Sequence, residues 1–400
     1  MNINFDQYIN RCGTNSVKWD QCKKMFGTED VLPMWVADSD WPAPDVALRA
    51  IEERINHGIL GYSSPGEELN NAVVNWVKKQ YNWEIKKEWL VYTSGVVPAI
   101  NVALRSNVKE GEGVVLQPPV YYPFFSAVKD NGYLQIDNQL IEVNNSYQMD
   151  FKGLKNSITS FTEPIGALIL CNPHNPVGRV WKKQELMELG KICLEKEILI
   201  ISDEIHADLI YNGYKHIPIA SLSEELSYNT ITMIAPSKTF NVAGLHSSVT
   251  IIPDPCLRHS FKKTMSGFVG SGNLFGFVVM EAVYSKGEKW LLEQIKYLEG
   301  NRDFAIEYIR KEIPLIKVFQ PEGTYLLWLD CRGIGIPPSK INNFMIEEAK
   351  VGLDDGSWFG SGGKGFMRLN FACPREILRK GLERISRAVK GWNNGREKYI

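Results

Sequence analysis

Several strand-like runs in this chain end in residues able to do chemistry. "MIAPSKTFNVAGLHSSVTIIP" (233–253) sets Lys238 between Ser237 and Thr239, with an apolar, β-prone run on either side. Such a lysine is either a solvated loop residue or an amine that reacts. "ILIISDEIHADL" leaves Asp203 just past another apolar run, where a carboxylate loses hydration unless a cation or a donor meets it. Alone, Asp203 is equally a helix N-cap. "ALILCNPHNPVGRVW" places Asn172 and Asn175 before prolines, which press them toward extended geometry and hold two amides rigidly in a turn. Asn-Pro is also ordinary turn chemistry.

Two further strand ends complete the set. In "VYTSGVVPAINVALRS", Ser94 and Gly95 precede a helix whose free N–H groups and dipole suit an anion. The spacing is neither that of a dinucleotide fingerprint nor that of a P-loop. "QPPVYYPFF" offers Tyr121 and Tyr122 as flat faces that stack on a ring or pack in a core. Each signal is weak alone. Together, an amine, a carboxylate, a rigid amide, an aromatic plate and a phosphate cup are what pyridoxal phosphate needs. Its aldehyde reacts with a lysine, its ring nitrogen needs a carboxylate to stay protonated, and its phosphate seeks a helix N-terminus.

The elements that position these residues read as an α/β protein. Strand candidates at 113–120, 166–171, 198–202, 230–235 and 247–253 are continuous apolar runs. A helix candidate over 182–197 carries Leu186, Leu189, Ile192 and Cys193 at helical spacing. Such alternation predicts a mostly parallel sheet covered on both faces, with ligands at the carboxyl ends of its strands. From 288 the pattern becomes α+β: a helix over 288–312, "LIKVFQ", "GTYLLWLDCR", another helix, "GFMRLNFA" and a last helix over 375–391. We expect an N-terminal segment (1–45) lying on the small domain or a partner subunit, a large cofactor-binding domain (46–287) and a small C-terminal domain (288–400).

Bulk properties narrow the function. With 44% hydrophobic and 23% charged residues and a net charge of −1, the 400-residue chain gives no electrostatic case for nucleic acid or an anionic membrane. No apolar run approaches the roughly 18 to 20 residues that span a bilayer, and the first residues lack a signal-peptide pattern. Seven cysteines without a C-x-x-C pair read as free thiols of a cytoplasmic protein. The six histidines have no ligand spacing, so no metal is expected.

The order and spacing of "CNPHNPVG", "SDEIHADL" and "APSKTFNVAGL" resemble the class I/II aminotransferase superfamily, fold type I, across most of the chain. "LPMWVADSDWPAP", "HGILGYSSP", "SGVVPAI" and "DEIHADL" look like its cystathionine β-lyase or C–S lyase branch, from which Ser39, Trp41 and Leu60 depart. The resemblance implies a large domain with a mixed, mostly parallel seven-stranded sheet and a smaller α+β domain. It implies Lys238 as the Schiff-base lysine, Asp203 as partner of the ring nitrogen, Asn175 as donor to the ring hydroxyl and Tyr121 as the stacking aromatic. Ser94, Gly95, Val96 and Ser237 match the phosphate cup, and His206 stands on the cofactor side where many relatives carry tyrosine. Tyr62 matches a tyrosine that reaches the neighbouring subunit's site in a homodimer. Arg368 in "FMRLNFA" matches the clamp on the substrate α-carboxylate, with Ala37, Tyr122 and Asn175 also toward the substrate. At His246 many members carry a phosphate-binding arginine; histidine is a weaker, titratable ligand.

Lys238, Tyr121 and Asp203 are thus the expected catalytic residues. The expected reaction is α,β-elimination of a cysteine thioether to pyruvate, ammonia and a thiol. Transamination uses the same residues and stays open, as does a regulatory role for the same fold.

Overall fold

The computed structural model describes residues 3–394. Its main sheet has seven strands, which we number along the chain: β1 (Leu90–Thr93), β2 (Gly113–Leu116), β3 (Leu134–Asp137), β4 (Ile165–Cys171), β5 (Leu199–Asp203), β6 (Thr230–Ile234) and β7 (Ser248–Ile251). Their order is β1-β7-β6-β5-β4-β2-β3, and only β7 runs against its neighbours.

The apolar runs are continuous because both faces are covered. Val114, Leu116, Ile169, Ile201 and Ile231 pack with Ile100, Ala103 and Leu104 of the helix Val96–Asn107 and with Phe261 of Pro255–Met265. Their strand neighbours Val115, Leu168, Leu170 and Ile200 face the other way, against Leu186, Leu189, Ile192 and Cys193 of the helix Lys183–Glu195. Alternate residues thus enter two cores, and no polar face remains to mark a period of two.

Two differences from the sequence reading have physical causes. β2 stops at Leu116, not at residue 120, because Pro118 and Pro119 have no N–H to continue a ladder; the next amide, Val120, donates instead to Phe359 O at 2.9 Å. The edge strand β3, "LQID", was not expected. It buries only Ile136, so it shows no apolar run.

A four-stranded antiparallel sheet, in the order Lys317–Val318, Leu326–Asp330, Phe366–Asn370 and Asp354–Asp355, lies among the helices Glu288–Glu312 and Arg375–Asn394. Register sets Arg368 directly between Trp328 and Asp354. Near the N-terminus, Leu32–Pro33 pairs in parallel with Val351–Gly352, and the Phe5 ring meets Trp41 at 5.2 Å and Tyr297 at 5.3 Å. These contacts carry residues 34–41 across the mouth of the main sheet.

Candidate active site

Cys171, Asp203 and Met233 stand side by side in the ladder, so the loops after β4, β5 and β6 leave the sheet together. They bound a cavity of about 430 Å³ lined by Ala37, Ser94, Gly95, Val96, Tyr121, Asn175, Asp203, His206, Ser237, Lys238 and His246, among others. The predicted residues from five separate segments therefore meet at the carboxyl end of the sheet. Arg368 joins them through Asn175, whose Oδ1 accepts from its Nη1 at 3.0 Å. Tyr122 packs beside Tyr121, with ring centroids 5.2 Å apart. Tyr62 lies outside this cavity, fully exposed on the loop after the helix Asp45–His57.

Lys238 belongs to a one-turn helix, Pro236–Thr239, that Pro236 starts with a fixed φ. Thr239 anchors the turn: its hydroxyl donates to buried Asp208 at 2.8 Å, and its carbonyl accepts from Gln294 at 3.0 Å. Asp208 is held in turn by Trp76 Nε1 at 3.1 Å and by the Tyr81 hydroxyl. The Lys238 amine points the other way and donates to Ala37 O at 2.8 Å. The Tyr325 hydroxyl donates to the same carbonyl at 2.9 Å.

That carbonyl is fixed by two asparagines. Asn370 Nδ2 donates to Val36 O at 2.6 Å and to Asp38 O at 2.7 Å, while Asn241 Nδ2 donates to Ser39 O and Trp41 O at 3.0 and 2.7 Å. Behind it, Arg11 and buried Lys18 pair with Asp38 and Asp40. Burial pulls Lys238 down to about 8, against the raising pull of Asp38 and Asp203. An amine so placed loses its proton near neutrality, as a base must.

Asp203 is buried and accepts one bond, at 3.0 Å, from the backbone N–H of Ile205. Burial pushes its carboxyl up to about 7, with the Ile205 bond and Lys238 pulling back. A cationic N–H donor against it would restore its charge. His206 is buried beside the Tyr325 ring, is held neutral by burial, and has an Nδ1 without a partner among the described residues. Gly95 has φ 151°, a conformation that side-chain-bearing residues rarely adopt, and it opens the helix Val96–Asn107 without a side-chain cap. Bare amides there face the cavity, as an anion requires. Asn175 spends its Oδ1 on Arg368, which leaves Nδ2 as a donor. This donor set fits pyridoxal phosphate: amine, carboxylate, amide donor, aromatic plate and anion cup are all present.

Tyr325, Asn241, Asn370 and Asp354 were not singled out from the sequence. Tyr325 and Asn370 lie in strand-like apolar runs and read as core. The role of Ala37 is carried by a backbone carbonyl, which no residue type announces.

Residues 36–385 match the family Aminotransferase class I and II. The chain is 42% identical to cystathionine beta-lyase PatB of Bacillus subtilis, covering 97% of this chain and all of that one. A PLP-bound protein of Clostridium difficile 630, provisionally assigned as an aminotransferase, superposes with a TM-score of 0.94 at 43% identity, over 97% of this chain and 100% of that one. A PLP-bound C–S lyase of Staphylococcus hominis superposes at 0.90 with 34% identity, over 97% and 98%. Joined with the cavity residues above, these likenesses place the chain in the class I and II aminotransferase family.

Proposed function

We propose that this protein is a pyridoxal phosphate-dependent C–S β-lyase that cleaves cystathionine, cysteine or a related thioether to pyruvate, ammonia and a thiol. The observation that carries elimination over transamination is the 42% identity, along almost the whole chain, to a cystathionine beta-lyase. Within the cleft, the lysine that a carbonyl holds, and whose ionisation burial lowers to about 8, supplies the base that either reaction needs.

In this reading Lys238 anchors the cofactor, Asp203 meets its ring nitrogen, Asn175 Nδ2 its ring hydroxyl, and Tyr121 its ring face. Ser94, Gly95, Val96 and Ser237 hold the phosphate. When bound, the cofactor supplies the electron sink that makes a Cα proton acidic. Arg368 fixes the substrate α-carboxylate through charge-assisted hydrogen bonds from its guanidinium. Lys238, docked on Ala37 O, takes the Cα proton. Asp203 stays anionic against the ring nitrogen and so keeps it protonated. Tyr121 and Tyr122 flank the side chain of the substrate, where the Cβ–S bond breaks and the thiolate leaves.

Tyr62 acts in the partner's site of a homodimer. Its full exposure, next to exposed Ile59 and Leu60, supports that role.

A product assay decides the reaction. With L-cystathionine and no keto acid, pyruvate, ammonia and free thiol should appear in equal amounts. If product forms only with a keto-acid acceptor and tracks its concentration, the protein is an aminotransferase.

A further inference from the structure

Arg368 does not face the cleft as a free cation. It is buried in mid-strand, and its Nη2 donates to the carboxylate of Asp354, its cross-strand neighbour, and to Trp35 O at 3.0 Å. Asn175 takes Nη1 at 3.0 Å, and the Phe359 ring lies under the guanidinium at 5.1 Å. Three acceptors thus hold the group in one plane. The pair is not saturated: neither Arg368 Nε nor Asp354 Oδ1 has a partner among the described residues, and both are buried. Nη2, the nitrogen a carboxylate would share with Nε or Nη1 in a bidentate grip, is already committed to Asp354 and Trp35.

A carboxylate arriving at Arg368 therefore meets another one. Asp354 is buried, and the ladder fixes its backbone directly opposite Arg368, which keeps its carboxylate beside the guanidinium. The ionisable groups that face it are Arg368 on the adjoining strand and Tyr121 and Tyr122 from the loop after β2. Both tyrosines are neutral, because burial drives their hydroxyls upward. No second cation balances two carboxylates there among these groups.

We propose that Asp354 is a positioning residue that sets the plane of Arg368 and competes with the substrate for it, so that the grip on an α-carboxylate weakens when Asp354 is ionised. The proposal rests on the reading of Arg368 as the carboxylate clamp. Burial pushes the Asp354 carboxyl up to about 6 even with Arg368 pulling it down, so the competition switches within an accessible pH range. Below that range Asp354 is neutral and yields Arg368 to the ligand; above it, two like charges share one guanidinium.

The test titrates the holoenzyme with L-alanine and with L-alaninamide, which lacks the carboxylate. With each affinity expressed for the free-amine form, since the two amines ionise differently, their ratio isolates the carboxylate. In the unaltered protein the ratio should fall on the order of tenfold from about pH 5 to about pH 8, the size of one pKa unit of interaction. In Asp354→Asn, which keeps the shape and an acceptor for Arg368, the ratio should stay flat at the high, acid-side value. Should that variant not fold, Asp354→Ser makes the same comparison. A flat ratio in the unaltered protein, or a variant that keeps its slope, overturns the role of Asp354. Arg368→Leu separates the two claims: it should bring the ratio near unity. If it leaves the ratio unchanged, the carboxylate sits elsewhere, and the reading of Arg368 falls together with this proposal.

Discussion

Lys238 lines the cleft and Arg368 adjoins it through Asn175, and their surroundings differ in kind. Lys238 ends the main sheet with a carbonyl against its amine, and burial pulls it down to about 8. Arg368 lies inside the small sheet with Asp354 paired to it directly. An amine that must give up its proton is best held by a neutral acceptor, because a carboxylate in contact would keep it charged. A guanidinium buried in a strand needs the opposite, a fixed acidic partner that offsets its burial and sets its plane, even though that partner competes for the anion when ionised. In the proposed reading, the two environments thus separate the group that reacts from the group that grips.

The largest expected effect comes from deleting the reacting group. Lys238→Ala should lower kcat by at least about 10³-fold and remove the pH-sensitive visible absorbance of the loaded protein. Arg368→Leu, by contrast, should act mainly through KM, since a carboxylate clamp serves ground and transition states alike. If both variants fail in kcat to the same degree, the division of labour between the two sides is wrong.

Asp203→Asn removes a charge and keeps the shape. The ring nitrogen would then lose its anionic partner, and Cα proton removal should slow by roughly 10²-fold, the scale of several kcal/mol of buried electrostatics. Rapid-mixing measurement of deuterium exchange at Cα reads that step directly. A loss under about tenfold would mean that Asp203 serves chiefly to cap the turn through the Ile205 amide.

Much of the reacting side was legible beforehand, and the reason is local. β4, β5 and β6 are buried on both faces, so they read as unbroken apolar runs, and the chemistry sits at their ends. Lys238, Asp203 and Asn175 stand out there because a polar residue next to such a run needs a reason. On the gripping side such contrast is missing. Arg368 looks like any charged residue in a strand, and it emerged only through family resemblance. Asp354 lies 14 residues away in sequence and meets it through antiparallel register. The seat of the lysine is harder still, for Ala37 contributes a carbonyl that Asn370, some 330 residues away, helps to hold.

That seat supplies the finest test of the comparison. Ala37 O accepts from Lys238 at 2.8 Å and from Tyr325 at 2.9 Å, so two donors share one acceptor. Tyr325→Phe keeps the ring against His206 and removes the competing donor. The carbonyl then accepts more strongly from Lys238, and hydrogen bonding favours the charged ammonium, which has more N–H to give. The lysine's ionisation should therefore rise, by about half a unit or less, which corresponds to under ~1 kcal/mol. Because the base works only when deprotonated, the acid limb of the kcat profile should move to higher pH by that amount, while the kcat plateau stays within about threefold. A limb that moves down would mean that Tyr325 itself helps to charge the lysine. A limb that does not move would place the freed amine away from Ala37 during turnover, and the neutral seat described here would belong to the resting protein alone.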